Sequence, residues 1–419
     1  MKEGRSSWRV VPILAAIVFL SHFNRISMTV AGDTKLMPEF GISPVRMGWV
    51  YSAFILVYTI AMVPAGLFAD RFGTWLALGI MLVGTGVLEA LTGLTTGIIP
   101  GTAALWIALL LVRAMMGLLT SPLHPSSART ISTWVPAPRQ NLANGLVTAA
   151  AGLGVALTFT LFGTLIARVG MSGAFVVAGL STVGVGAVWL LFGGDSAQHR
   201  RDPRRVVNPE TSRWTTLLKD RRVRAITLAY GAMDYVQYLF FYWMHYYFGT
   251  VLTLDSDKAN LYSTIPLLAF TAAMPIGGLV GDRLTRVLGP GRGPPIVPAL
   301  GMLLGAAGLA AGVAAEDPVL VVICFSAALF GIGAAEPVFW TVAVNLGGPN
   351  AAAAAGIMNT GGNLGGFLAP IITPWLSSVF GWGVGLSFGA LVCLTGTICW
   401  RWIRLGQLEA TPSPASAEV

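Results

Sequence analysis

Long apolar runs separated by short polar breaks fill almost the whole chain. Twelve stand out, over 10–32, 47–69, 75–95, 102–123, 141–167, 172–193, 222–248, 260–281, 295–314, 319–344, 352–378 and 382–404. Roughly 20 apolar residues are what an α-helix needs to cross a bilayer. Strands of a transmembrane barrel are about 10 residues long and alternate in polarity, which these runs do not. The pattern predicts an all-α polytopic membrane protein with twelve transmembrane helices. The longest polar segment, beginning "DSAQHRRDPRRVVNPE", lies near the midpoint. It divides the chain into an N-terminal six-helix bundle (1–194), a linker (195–221), a C-terminal six-helix bundle (222–405) and a tail (406–419). The tail, ending "TPSPASAEV", has the composition of a disordered segment.

Composition agrees: 55% of the 419 residues are hydrophobic and 11% are charged, against about 25% charged in soluble domains. The net charge of +8 is distributed in a way that excludes nucleic acid as its target. With the N-terminus placed in the cytoplasm, most basic residues fall on inner segments, among them Arg9, Arg71, Arg129, Arg283, Arg286 and those of the linker. Asp33, Glu39, Asp255, Asp257, Glu316 and Asp317 fall outside. A basic excess on one side sets orientation and attracts anionic lipid. A cleaved signal peptide over 1–32 is disfavoured: the apolar run is too long, and it holds Arg25. Cys324, Cys393 and Cys399 fall within runs without metal or redox spacing and read as small buried apolar residues.

A repeat supports the division. "GLFADRFG" (66–73) follows the second run and "GGLVGDRL" (277–284) follows the eighth, about half the chain length later. Duplication of this kind marks transporters built from two bundles around a central site. Gly66 and Gly277 or Gly278 would permit close helix approach. Asp70 and Asp282 would sit at the N-terminus of the next helix, where negative charge is favoured. Arg71 and Arg283 would pair across the bundles as a gate. The plainer alternative is a basic turn that only sets orientation.

These turns resemble the signature of the major facilitator superfamily, and four stretches are similar to its anion:cation symporter family. They are "FNRISMTVA" (23–31), "YSAFILVYTIAMVPAGLFADRFG" (51–73), "YLFFYWMHYYF" (238–248) and "GIMNTGGNLGGFLAPII" (356–372). The resemblance implies a transporter of sugar acids or other organic anions, without cofactor and not an enzyme. It further implies a monomer in a bacterial inner membrane, both termini cytoplasmic, with spans one, four, seven and ten lining a central cavity.

Five ionisable groups fall within spans, apart from the histidines: Arg25, Glu89, Arg113, Asp234 and Glu336. At 1.5 Å per residue, Arg25 is about 24 Å from Arg9 and near mid-depth. Arg113, on the fourth span, is at similar depth, and the two arginines are candidates to grip a carboxylate with paired N–H donors. Alternatively each pairs with a helix carbonyl or an internal acid. Asp234 and Glu336, on spans seven and ten, are candidate proton carriers, since carboxyls removed from water hold a proton more readily. The alternative is a static salt bridge. Glu89 reads as snorkelling or paired locally. Tyr51, Tyr58, Tyr238, Tyr242, Trp243, Trp340, Asn359 and Asn363 are candidate lining residues, although aromatics in spans serve packing more often. His22, His124 and His245 form no metal pattern and read as packing or capping.

The chain departs from the family where proton carriers are expected. Asn24 precedes Arg25 where proton-coupled members have aspartate, and Thr120 stands where they have glutamate. Glu336, in "GIGAAEPVFW" (331–340), is the compensating candidate. Phosphate-cradling, zinc-protease and serine-nucleophile motifs are absent. The expectation is a proton-coupled carrier of a small organic anion working by alternating access. An uncoupled facilitator, an exchanger and a membrane sensor on the same scaffold are the alternatives.

Overall fold

The computed structural model describes residues 7–99, 101–135, 140–193, 217–289, 291–347 and 351–403. The tail and most of the linker lie outside the described residues. Each apolar run is a helix to within a few residues. These are α1 (Val10–Ala31), α2 (Pro44–Phe72), α3 (Thr74–Ile98) and α4 (Thr102–Thr120). The stretch Gln140–Phe192 supplies α5 and α6. Then come α7 (Arg221–Tyr246), α8 (Ser256–Leu288), α9 (Ile296–Ala314), α10 (Pro318–Gly347), α11 (Ala351–Phe380) and α12 (Trp382–Cys399).

Gln140–Phe192 is not one rod. Gly170 has φ 73°, ψ 168°, a conformation that only glycine adopts without strain. The rings of Phe162 and Phe175, on either side of it, lie 5.1 Å apart, where a straight helix would hold them roughly 20 Å apart. The chain doubles back there, giving α5 (140–169) and α6 (171–192). Among the described residues nine stretches are long and apolar enough to span a membrane, one of them holding both α5 and α6. α7 and α11 fall short because aromatic and charged residues fill one, and glycine and asparagine the other.

Packing repeats between the halves. α1 lies on α5, α2 on α4 and α3 on α6; correspondingly α7 lies on α11, α8 on α10 and α9 on α12. The halves meet through α2 with α11 and α5 with α8. One face of the molecule carries Arg71, Arg129, Arg222, Arg283 and Arg286 and is called the basic face. The other carries Asp33, Glu39, Asp255 and Asp317 and is called the acidic face. Helix starts follow the sequence: Ser43 and Asp255 cap α2 and α8 by accepting from the N–H of Arg46 and Lys258. Asp220 caps α7, and its side-chain hydrogen bonds from Arg222 hold its carboxyl below the usual carboxylate range.

Contacts between the halves concentrate toward the acidic face. Ser52 donates to the carbonyl of Phe367 at 2.8 Å, and the Thr160 and Thr264 hydroxyls lie 2.8 Å apart. A Cβ on Gly48 would run into the Pro370 carbonyl. Toward the basic face the contacts thin out. Asn359 Nδ2 reaches Met62 Sδ at 3.8 Å, but a Cβ on Gly66 or Gly356 would meet nothing within 4 Å. The two bundles are joined at the acidic face and splayed toward the basic one.

The motif glycines therefore differ. Gly277 fits the expected role, because a Cβ there would collide with the Ala334 backbone on α10. Gly66 does not serve close approach in this arrangement, and Gly278 comes no nearer than 4.0 Å to Pro337. Gly277→Leu is expected to destabilise the protein by about 1–3 kcal/mol through overpacking, lowering the thermal unfolding midpoint in detergent. Gly66→Leu is expected to leave that midpoint in place. Equal shifts for the two variants would contradict this assignment.

Candidate functional site

Arg25 marks the centre of the molecule. The guanidinium lies over the rings of Phe54 on α2 and Tyr238 on α7, 5.2 and 4.8 Å from their centroids. Its Nε donates to the Tyr242 hydroxyl at 3.3 Å. Its Nη2 is buried without a hydrogen-bond partner, and among the described residues no carboxylate closes on it. Aromatic faces attract a cation through the ring quadrupole and leave N–H donors unspent.

Below Arg25, toward the basic face, is a cleft of about 230 Å³. Ser21, His22 and Arg25 line it from α1, and Phe54 and Tyr58 from α2. Thr120, Leu123 and His124 close it at the end of α4 and the start of the short helix Leu123–Trp134. The imidazoles of His22 and His124 lie edge to face, 5.5 Å apart. Sequence reasoning gave these histidines packing roles; α1 and the end of α4 bring them together beside Arg25.

Arg113 does not line this cleft. It is 1% exposed; its Nη1 donates to the Asn24 carbonyl at 3.0 Å and lies 3.9 Å from Glu89 Oε2. The pairing with a helix carbonyl and an internal acid, weighed as the alternative, is what the structure has. The acid comes from the same half. Glu89 does not snorkel: it is fully buried and accepts from Ser27 Oγ at 2.5 Å. The pairwise anion clamp expected of Arg25 and Arg113 is thus replaced by one arginine in the cleft and one paired behind it. Tyr242, which stacks on Tyr51 at 4.9 Å, stands between them and interacts with both.

On the other half, Tyr230 and Trp340 both donate to Glu336 Oε1, at 2.7 and 3.1 Å. Asp234, 6% exposed, lies within electrostatic reach of Glu336 and of Arg25. The two candidate proton carriers therefore interact with each other, and Asp234 is the one within reach of the cleft arginine. Trp340 is 38% exposed and serves this carboxylate. Asn363 is buried on α11, while Asn359 is half-buried against α2. Asp282 and Arg283 are exposed and make no ion pair among the described residues, and Arg71 rests on Phe72. The Asp70 side chain lies outside the described residues. Among the described residues, Asp282, Arg283 and Arg71 form no ion pair across the splayed face.

The closed face has a latch that the sequence did not reveal. His245 Nδ1 lies 3.1 Å from Asp33 Oδ2 on the π-helical turn after α1, and Nε2 lies 3.0 Å from Asn260 Oδ1 on α8. Phe159 of α5 stacks on the imidazole at 5.8 Å. Asp33 and His245 are 9% and 3% exposed, and they join the two halves. The signal, in hindsight, was an acid and a histidine each placed at the acidic end of pseudo-equivalent helices α1 and α7.

Residues 14–370 match the family model described as Major Facilitator Superfamily. The chain is 25% identical to the D-galactonate transporter of Escherichia coli O6:H1, with 95% of each covered. It is 25% identical to the probable galactarate/D-glucarate transporter GudP of Bacillus subtilis, over 91% of this chain and 88% of that one. Identity to the probable sulfoacetate transporter SauU of Cupriavidus necator is 24%, over 88% and 86%. A bacterial homolog of the human lysosomal transporter Spinster, inward-facing and unoccupied, superposes with a TM-score of 0.73 at 16% identity, over 96% of this chain and 95% of that one.

Removing one partner of a buried hydrogen bond strands the other and costs about 1–3 kcal/mol. His245→Ala or Asp33→Asn should therefore loosen the acidic face. With Cys324, Cys393 and Cys399 replaced by alanine, a Thr160→Cys reporter at the seam should react several-fold faster with an impermeant maleimide added from that face. An unchanged labelling rate would show that this contact does not hold the seam.

Proposed function

The chain belongs to the major facilitator superfamily, a family of transporters and not of enzymes, and on that premise we propose that it carries a small organic anion by alternating access. The substrate class is a sugar acid or another small carboxylate, moved together with a proton. The observation that carries this reading is Arg25: a guanidinium on aromatic faces, with an unpartnered donor, in a cleft open toward one side. Arginine presents parallel N–H donors that match a carboxylate. Relatives named as transporters of galactonate, galactarate/glucarate and sulfoacetate support an anionic substrate. Tyr58 and Tyr238 frame the guest, and Asn363 on α11 faces it from the other half.

In this reading the basic face is cytoplasmic, following the rule that basic loops stay inside, and the splayed arrangement is the one open to the cytoplasm. The motif residues Asp70, Arg71, Asp282 and Arg283 then meet only when the halves tilt the other way, with Gly66 allowing α2 to approach. Asp234 senses the charge on Arg25 and is in turn felt by Glu336, so arrival of an anion would alter the hold of this carboxyl pair on a proton. Protein and lipid suffice as a monomer in a bacterial inner membrane, with no cofactor.

A second reading, uncoupled exchange, is favoured by Asn24 and Thr120. Asn24 donates to Thr182 at 2.7 Å and Thr120 to the Met116 carbonyl, and neither side chain ionises. Uptake into proteoliposomes of labelled hexonates, hexarates and sulfoacetate, with and without a pH gradient, separates the two. Saturable uptake raised by the gradient is expected; saturable uptake blind to pH and voltage decides for exchange. Arg25→Ala should weaken binding of the best substrate about 10- to 100-fold, the loss of a hydrogen-bonded charge partner. Unchanged affinity in a folded Arg25→Ala protein refutes the anion site.

A further inference from the structure

Ser27 stands between two acceptors. Its Oγ lies 2.8 Å from the carbonyl oxygen of Asn24 and 2.5 Å from Oε1 of Glu89. A backbone carbonyl only accepts, and a hydroxyl carries a single hydrogen. With Glu89 ionised, Ser27 donates to the carboxylate, and its contact with the Asn24 carbonyl sets lone pair against lone pair. With Glu89 protonated, the carboxyl donates to Ser27 and Ser27 donates to Asn24. Both contacts are then hydrogen bonds. The spacing provides a place for one proton on Glu89.

The partner arginine is committed through one nitrogen only, its Nη1 donating to the Asn24 carbonyl at 3.0 Å. Charged N–H···O⁻ bonds close to about 2.7–2.9 Å, yet Arg113 remains 3.9 Å from Glu89 Oε2. That oxygen has no hydrogen-bond partner, nor have Nε and Nη2 of Arg113. Glu89 is faced by Arg113 from α4 and by Ser27 from α1, while α6 contributes the uncharged Thr182 behind Asn24. Tyr51 on α2 and Tyr242 on α7 face Arg113 in turn, and Tyr242 accepts from Arg25. Tyr242, within electrostatic reach of Arg113 and hydrogen-bonded to Arg25, links the Glu89 pair to the cleft.

We propose that Glu89 is a proton-carrying carboxyl of the N-terminal half, exchanging its proton as Arg113 turns between it and the bound anion. This rests on the proton-coupled reading above. When the substrate carboxylate engages the arginines, Arg113 withdraws from Glu89, which takes a proton from cleft water to form a carboxyl O–H donating to Ser27. When the anion leaves, Arg113 returns, the O–H bond breaks and the proton passes back to water. No other bond is made or broken.

Proteoliposomes loaded with the best substrate test this. Glu89→Gln copies the protonated form, so it should sustain counterflow of labelled substrate while losing the accumulation that a pH gradient drives in the wild type. Wild-type accumulation in Glu89→Gln overturns the proposal alone; a wild type that exchanges but never accumulates overturns the coupled reading and the proposal with it. If Glu89→Gln does not fold, Ser27→Ala decides, because it keeps the carboxyl and the arginine. Its pH midpoint for gradient-driven uptake should move by about half a pH unit or more, and an unmoved midpoint overturns the proposal.

Discussion

A charge in the middle of a bilayer must be held by something other than water, and this constraint organises the centre of the molecule. An arginine at mid-membrane costs roughly 2.5–3.5 kcal/mol even on the milder insertion scales. The chain carries two and settles them differently. Arg113 is neutralised within its own half, by Glu89 and a backbone carbonyl. Arg25 has two aromatic faces and one hydroxyl, drawn from both halves. The first solution is self-contained; the second is complete only while α2 and α7 stay close. The state of Arg25 is therefore tied to the relative position of the bundles.

That tie matters because the two halves touch unevenly. At the acidic face the contacts are close backbone approaches and buried polar bonds: Gly48 under Pro370, Ser52 on Phe367, His245 between Asp33 and Asn260. At the basic face Gly66 and Gly356 have open space beside them. Packed seams rearrange between discrete states rather than stretching. A ligand moves such an equilibrium only by its differential affinity for the two states, and a guest that took the Arg25 donors would be read by Tyr238 and Tyr242 on the opposite half.

The helices were legible because their signal is one-dimensional. Apolar length alone placed all twelve, and the repeated Gly-x-x-x-Asp-Arg turn placed the halves. Depth along a helix was also legible, so Arg25, Glu89, Arg113, Asp234 and Glu336 were all recognised as intramembrane. Azimuth was not. Which way a side chain faces around its helix depends on neighbours that no single span encodes; this is why Arg113 was expected in the cleft, and why Glu89 was left between snorkelling and the local pairing that it makes. The Asp33–His245–Asn260 contact needed three helix ends at once, two of them with π-helical turns that shift the register. Gly66 has open space beside it here for a different reason: a motif read from sequence reports every state of a moving protein, whereas one structure holds one of them.

Asn24 shows how a substitution in the first span changes the site without emptying it. An aspartate there would stand next to Arg25 in sequence and bring a negative charge to the head of the cleft. Asparagine instead spends its side-chain amide on Thr182 of α6, while the backbone carbonyl of the same residue, which an aspartate would equally present, accepts from Ser27 and Arg113. The buried carboxyl beside this site sits one helix further back, on Glu89, with Arg113 between it and the cleft. The cleft is left more positive than it would be with the acid in place, which suits an anionic guest. The charge balance is kept at a distance that an arginine side chain can span.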